Sequence, residues 1–321
     1  MGLEPRATLA ALLEHPYDVV RLAALWNRME PDADAFDPSH LDWQVEAAER
    51  AGKQVILAVG AVKNFGYPEF FVPRHRLPAP LPEGTLVSEA SHAELLQAAT
   101  RFVGRVVERY RGHDSIVAWQ VEHEAVDPLG IEHSWRLTTG FVKREMAEVE
   151  RLDPSRPMLL NGFLPMSAPV AAQQWWRTRD QGDSLGLAEE AAGIVGIDVY
   201  PCHALRAAGG FTAYLDAPAW RERARRVVER AAARGRRLII SEGQAEPWEA
   251  VTTPPSPDGR VMASCPPERV IENYNRCMAL ARDSGGALEA YLFWGAEYWL
   301  ARQQGGDGSY LGAFARILAN D

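Results

Sequence analysis

The sequence predicts an α/β protein, a (β/α)8 TIM barrel lacking or truncated at its first strand, forming one domain over residues 1–321. Three observations carry that expectation. Short apolar runs alternate with longer amphipathic stretches along the chain, and near-continuous apolar strands between helices belong to a parallel sheet covered on both faces. Seven such runs occur where a barrel has eight, and a helical pattern, "RATLAALLEH", stands directly before the first of them. A length of 321 residues, 47% hydrophobic and 24% charged, suits one large α/β domain.

In order, the strand runs are "DVVRLAALW" (18–26), "KQVILAVGAV" (53–62), "SIVAWQVE" (115–122), "PMLLNGF" (157–163), "GIVGIDVYP" (193–201), "RRLIISE" (236–242) and "ALEAYLFWG" (287–295). Between them, "SHLDWQVEAAERAG", "HAELLQAATRFVGRVVERYRGH", "APAWRERARRVVERAAARG" and "PERVIENYNRCMALARDSG" place apolar residues at helical spacing. The Pro-rich pieces at 73–84 and 252–259 follow strands and read as long loops. A doubly wound open sheet would show a glycine-rich turn after its first strand, and "LWNRMEP" is not one.

The charge balance narrows the partners. Lys and Arg total 34 against 43 Asp and Glu, a net charge of −9, which repels both nucleic-acid phosphates and anionic membrane surfaces. Three cysteines, Cys202, Cys265 and Cys277, have no metal-site spacing and read as free thiols. The start "MGLEPRATLAALLEHP" has no basic segment followed by an apolar one, so the expectation is a cytoplasmic protein. A barrel short of one strand would expose an unpaired edge, which favours a homo-oligomer.

In a barrel, chemistry collects at the carboxyl ends of the strands. Here those ends read "WNRMEP", "GAVKNFGYPEFF", "EHEAVD", "NGF", "DVYP", "SEGQAEPW" and "FWGAEYW", rich in aromatic, acidic and amide residues. The helix-to-strand turns are basic and generic. An acidic, aromatic-lined mouth suits a neutral polar ligand with apolar faces, such as a sugar. Glu124 and Glu242 end the third and sixth visible strands. Glycoside hydrolysis needs such a pair, one carboxylic acid to protonate the leaving oxygen and one carboxylate to attack the anomeric carbon.

The segments "VVRLAALWNRMEPDADAFDPSHLDWQVEAAERAGKQVILAVG", "WQVEHE", "GIDVYP", "ISEGQAEPW" and "LFWGAEYW" resemble the TIM-barrel retaining glycoside hydrolases of clan A, in their β-galactosidase and cellulase-like branches. The resemblance implies that the visible strands are the second to eighth. Glu124 then falls on the acid/base of the fourth strand and Glu242 on the nucleophile of the seventh. It further implies that Arg21 pairs with the nucleophile, that the Tyr200 hydroxyl touches it, and that Trp294 is the sugar platform. A β-linked glycoside, oligosaccharide or polysaccharide is the implied substrate, and the chemistry needs no cofactor and no metal. One position departs from the clan, which has Asn where this chain has His123. A histidine donates a similar hydrogen bond with different reach and a titratable proton.

Other residues near the mouth divide between binding and packing. Trp26, Trp248 and Trp299 are subsite walls or packed loop residues, and strand-end position favours binding for the first two. Glu246 and Glu297 bind hydroxyls or make structural hydrogen bonds, and Glu122 reads as a buried structural acid. His203 reads as a loop histidine, and Trp175 and Trp176 as core or lid. The alternative function is a carbohydrate-binding barrel impaired in catalysis, which the His123 departure favours. A weaker one is a lyase or aldolase using Lys63 for a Schiff base.

Overall fold

The computed structural model describes residues 2–33, 35–77, 79–128, 133–206, 212–216, 220–247, 264–284 and 288–319. Seven strands form one sheet in chain order: β1 (Val19–Ala23), β2 (Gln54–Ala58), β3 (Ile116–Gln120), β4 (Met158–Phe163), β5 (Ile194–Val199), β6 (Arg237–Gln244) and β7 (Leu288–Trp294). They correspond to the second to eighth strands of the (β/α)8 pattern; six lie within the runs that the sequence marks out, and β6 continues two residues past its run, to Gln244. The chain divides into two compact units, residues 18–163 with 171–196, and residues 1–17, 164–170 and 197–321.

In the unit that starts at residue 18, β1 pairs with β2 in parallel from Val19↔Gln54 to Ala23↔Ala58. Parallel pairing continues from β2 to β3 and from β3 to β4. The strands are buried because helices cover them. Ala93–Tyr110 buries Leu95, Ala98, Ala99, Phe102, Val103, Val106, Val107 and Tyr110, the stripe expected of a 3.6-residue period. Thr139–Leu152 begins where the Thr138 hydroxyl accepts the Phe141 N–H, capping an otherwise unsatisfied donor. Ser39–Arg50 ends before Gly52, whose φ of 68° turns the chain into β2 at little steric cost.

In the other unit, β6 and β7 pair in parallel with a register shift. Ile240 faces Tyr291 and Gly243 faces Phe293, so three steps on β6 match two on β7. The extra residue falls at Ser241–Glu242. A second cluster of buried side chains forms behind these strands from Val270, Tyr274, Tyr298, Trp299, Tyr310, Leu311, Phe314 and Ile317, with Leu12 of the helix Pro5–Leu13 packed against it. The three cysteines are buried thiols.

Two features were not foreseen. The segment after "DVYP" forms an antiparallel hairpin, Cys202–Arg206 with Thr212–Asp216. Leu86–Val87 pairs in parallel with Arg136–Leu137. The run 18–26 is also shorter as a strand than its apolar length, because Trp26 opens the short helix Trp26–Met29. No described helix is long and apolar enough to cross a membrane.

Candidate active site

After β3 the "WQVEHE" segment leaves the ladder through two left-handed residues, Glu122 at φ 57° and Glu124 at φ 44°. L-residues avoid this region, and single residues forced into it gather at functional sites. The contacts around them explain how the conformation is held. The Glu122 carboxylate accepts the backbone N–H groups of Val62, at 2.9 Å, and Lys63, at 2.5 Å. Its main chain lies so close to Gly60 that a Cβ there would sit 2.1 Å from the Glu122 nitrogen. The His123 N–H donates to the Lys63 carbonyl at 2.9 Å.

Asn161, buried in β4, organises the side chains. Its Oδ1 accepts Gln120 Nε2 at 3.1 Å and the Glu124 N–H at 3.4 Å. Its Nδ2 donates to His123 Nδ1 at 2.9 Å, an arrangement that assigns the His123 proton to Nε2. Arg21, from β1, donates to Gln120 Oε1 at 3.4 Å, and its guanidinium lies 4.0 Å from the centre of the Phe65 ring. Arg21, His123 and Glu124 therefore share one network with Gln120 and Asn161. His123 and Glu124 are buried side chains.

In the other unit, Glu242 is buried at the shifted stretch of β6, and the Tyr200 hydroxyl donates to its Oε2 at 2.6 Å. Its neighbour Ser241 donates to the buried Asp198 carboxylate at 2.7 Å. A strand normally sends successive side chains to opposite faces. Here two successive residues both reach residues at the end of β5, which the extra residue in β6 permits. Two residues on, the Gln244 amide accepts the Cys202 N–H at 3.1 Å and donates to the Cys202 carbonyl at 2.9 Å. This side chain ties the start of the hairpin to β6.

Trp294 is half-buried at the end of β7, and Gln244 is its partner in the ladder. The Glu246 carboxyl accepts from the Trp294 indole. Burial, then the charges of Glu297 and Glu242, push Glu246 up to about 7, far above an ordinary glutamate. Sequence reasoning placed Glu246 near the mouth but did not find this elevated acid.

Several expectations need correction or placement. Trp26 is fully buried, stacked on Phe102 at 5.6 Å between ring centres, so its ring offers no face to a sugar. Trp299 is likewise core, its indole donating to the Ala245 carbonyl at 2.7 Å. Trp175 and Trp176 lie on the helix Ala168–Thr178 and are 65% and 60% exposed, which excludes a core role. Lys63 is wholly buried, its ammonium donating to the carbonyls of Glu124 at 3.1 Å and Asp127 at 3.5 Å. That is structural anchoring of the Glu124 turn. Trp248 lies outside the described residues, as does the His203 side chain. Asn161 is the functional candidate that sequence reasoning missed. Its signal was an amide at a strand end, in "LLNGF".

The fold is found in solved carbohydrate-active enzymes. Xylanase 10B from Thermotoga maritima superposes with a TM-score of 0.56 at 15% identity, over 91% of this chain and 79% of that one. The GH5_18 structure from Streptomyces cattleya in complex with GlcNAc gives 0.59 at 15% identity, over 90% and 64%. The exo-beta-1,4-mannosidase Op5Man5 from Opitutaceae bacterium strain TAV5 gives 0.56 at 14% identity, over 90% and 47%. No curated protein matches the sequence. What these structures share with the chain is the TIM-barrel fold. The family model Glyco_hydro_42, described as beta-galactosidase, matches residues 7–153, the part of the chain that carries Arg21, His123 and Glu124.

Proposed function

We propose that this chain is a retaining glycosidase acting on a β-linked glycoside, with Glu242 as nucleophile and Glu124 as acid/base. The Glu242 carboxylate attacks the anomeric carbon while the bond to the leaving oxygen breaks and that oxygen takes the proton of Glu124. Water then attacks the glycosyl ester, Glu124 takes its proton, and the ester bond to Glu242 breaks with the carboxylate restored. The observation that carries the reading is the environment of Glu242. It is a buried carboxylate at a β6 register shift, with a tyrosine hydroxyl bonded to one oxygen.

Supporting roles follow from position. Arg21 and His123 contribute to substrate binding through the Asn161–Gln120 network, Tyr200 holds Glu242, and Trp294 stacks on a sugar face, for which a large planar apolar surface is needed. The whole chain acts as one domain in this reading, and a carbohydrate is its partner. Glu242→Gln and Glu124→Gln are each expected to abolish turnover of a β-glycoside whose leaving oxygen needs protonation, and the parent is expected to release its first product as the β-anomer by proton NMR. Near-parental rate in either variant removes that residue's role. An α-anomer as first product ends the retaining mechanism. Sugar-dependent thermal stabilisation without turnover by the parent would instead support the binding-only alternative.

A further inference from the structure

Behind Glu122 lies a second carboxyl that the proposed chemistry does not use. Glu145, on the helix Thr139–Leu152, has no exposed surface, and neither of its oxygens has a side-chain donor among the described residues when both acids are ionised. It occupies the apolar stripe that carries Phe141, Val149 and Leu152, where a carboxylate is costly. The group it meets is Glu122, and the Ala61 N–H points at the pair. Two buried carboxyls in contact cannot both ionise, but one proton between them satisfies both, since the protonated oxygen donates to the charged one.

We propose that Glu122 and Glu145 hold one proton between them, and that Glu145 is thereby a positioning residue for the Glu122–Glu124 turn. Glu122 is fixed on both sides. One side takes the Val62 and Lys63 N–H groups, and the other takes Glu145. The turn it anchors carries Glu124, so the catalytic part of this inference rests on the proposed function. The proton sharing does not.

Burial raises both carboxyls above their ordinary range, and the charge of Glu122 adds to the rise at Glu145. The other titratable groups around the pair are engaged elsewhere. The Lys63 ammonium donates to backbone carbonyls, the His123 ring meets Asn161, and Glu148 on the same helix pairs with Arg151. Loss of the shared proton would set two charges against each other beside the Gly60 contact, which has no slack.

The test compares the parent with Glu145→Gln, whose amide donates to Glu122 without a titratable proton. Thermal midpoints and amide exchange at Val62, Lys63 and His123 are measured from about pH 5 to about pH 9. In the parent, protection of these amides should fall by about tenfold beyond the intrinsic pH effect, and the midpoint should fall relative to the variant. Parallel midpoint curves and equal protection at every pH overturn the proposal. If the variant does not fold, infrared spectra of the Glu246→Gln protein decide, since Glu246 would otherwise contribute a protonated band of its own. A protonated carboxyl band persisting at neutral pH supports the shared proton, and its absence overturns it. If these results appear while the parent hydrolyses no glycoside, the glycosidase reading fails and the shared proton stands.

Discussion

The hydroxyl of Tyr200 donates to Oε2 of Glu242 at 2.6 Å, joining the residue just after β5 to the shifted stretch of β6. A hydrogen bond to a charged group is worth about 1.5–3 kcal/mol. When that group is a nucleophile, the bond also fixes which oxygen is presented. Tyr200→Phe is expected to lower kcat/KM by roughly tenfold to a hundredfold, chiefly through kcat, with the thermal midpoint little changed. Steady-state kinetics on an aryl β-glycoside check this, and a parental kcat would show that the hydroxyl does not support Glu242.

Gly60 is where the loop after β2 meets the backbone of Glu122. An alanine Cβ would lie 2.1 Å from one main-chain atom and 2.4 Å from the next, with no flexible side chain to give way. Gly60→Ala should destabilise the protein by about 3 kcal/mol through forced backbone displacement. Urea unfolding measures it, and a loss below about 1 kcal/mol would mean that the loop yields easily.

Glu246 gives the protein a second pH-dependent group. Its folded value of about 7 stands above its ordinary 4.5, so the native state holds a proton that the unfolded chain releases. The associated stability is complete below about 4.5 and is lost as pH rises through about 7. Glu246→Gln keeps the neutral form at every pH. It should therefore gain on the parent as pH rises, by up to about 3 kcal/mol, seen as diverging thermal midpoints. A constant offset between the two curves from acid to alkaline pH would contradict the elevated acid.

Much of this was legible in the sequence because apolar continuity and strand-end chemistry are local signals. Six of the seven strands fall inside the apolar runs and the seventh, β6, overruns its own by two residues; the bond between Tyr200 and Glu242 joins two strand ends that the clan resemblance had already singled out. What escaped depends on packing. Trp26 stands at a strand end, yet the short helix it begins turns its ring onto Phe102. Lys63 looks like a loop lysine until the turn it anchors is known. The hairpin of Cys202–Arg206 with Thr212–Asp216 left a signal that the reading of strand ends passed over, the pair Gly209 and Gly210 between its two strands. Glu145 did leave a trace, a carboxylate among Phe141, Val149 and Leu152 on one helical face, but its partner lies on another element.

The left-handed conformation of Glu122 and Glu124 has a consequence for anyone wishing to make this protein more durable. Each costs on the order of 1 kcal/mol that glycine at the same position would not. A search guided by melting temperature alone would therefore be drawn to replace Glu124, whereas the Val62 and Lys63 bonds of Glu122 offset its strain. With Glu124 in the proposed role, selection for robustness and selection for chemistry pull this position in opposite directions, so hardening efforts belong on the outer helices.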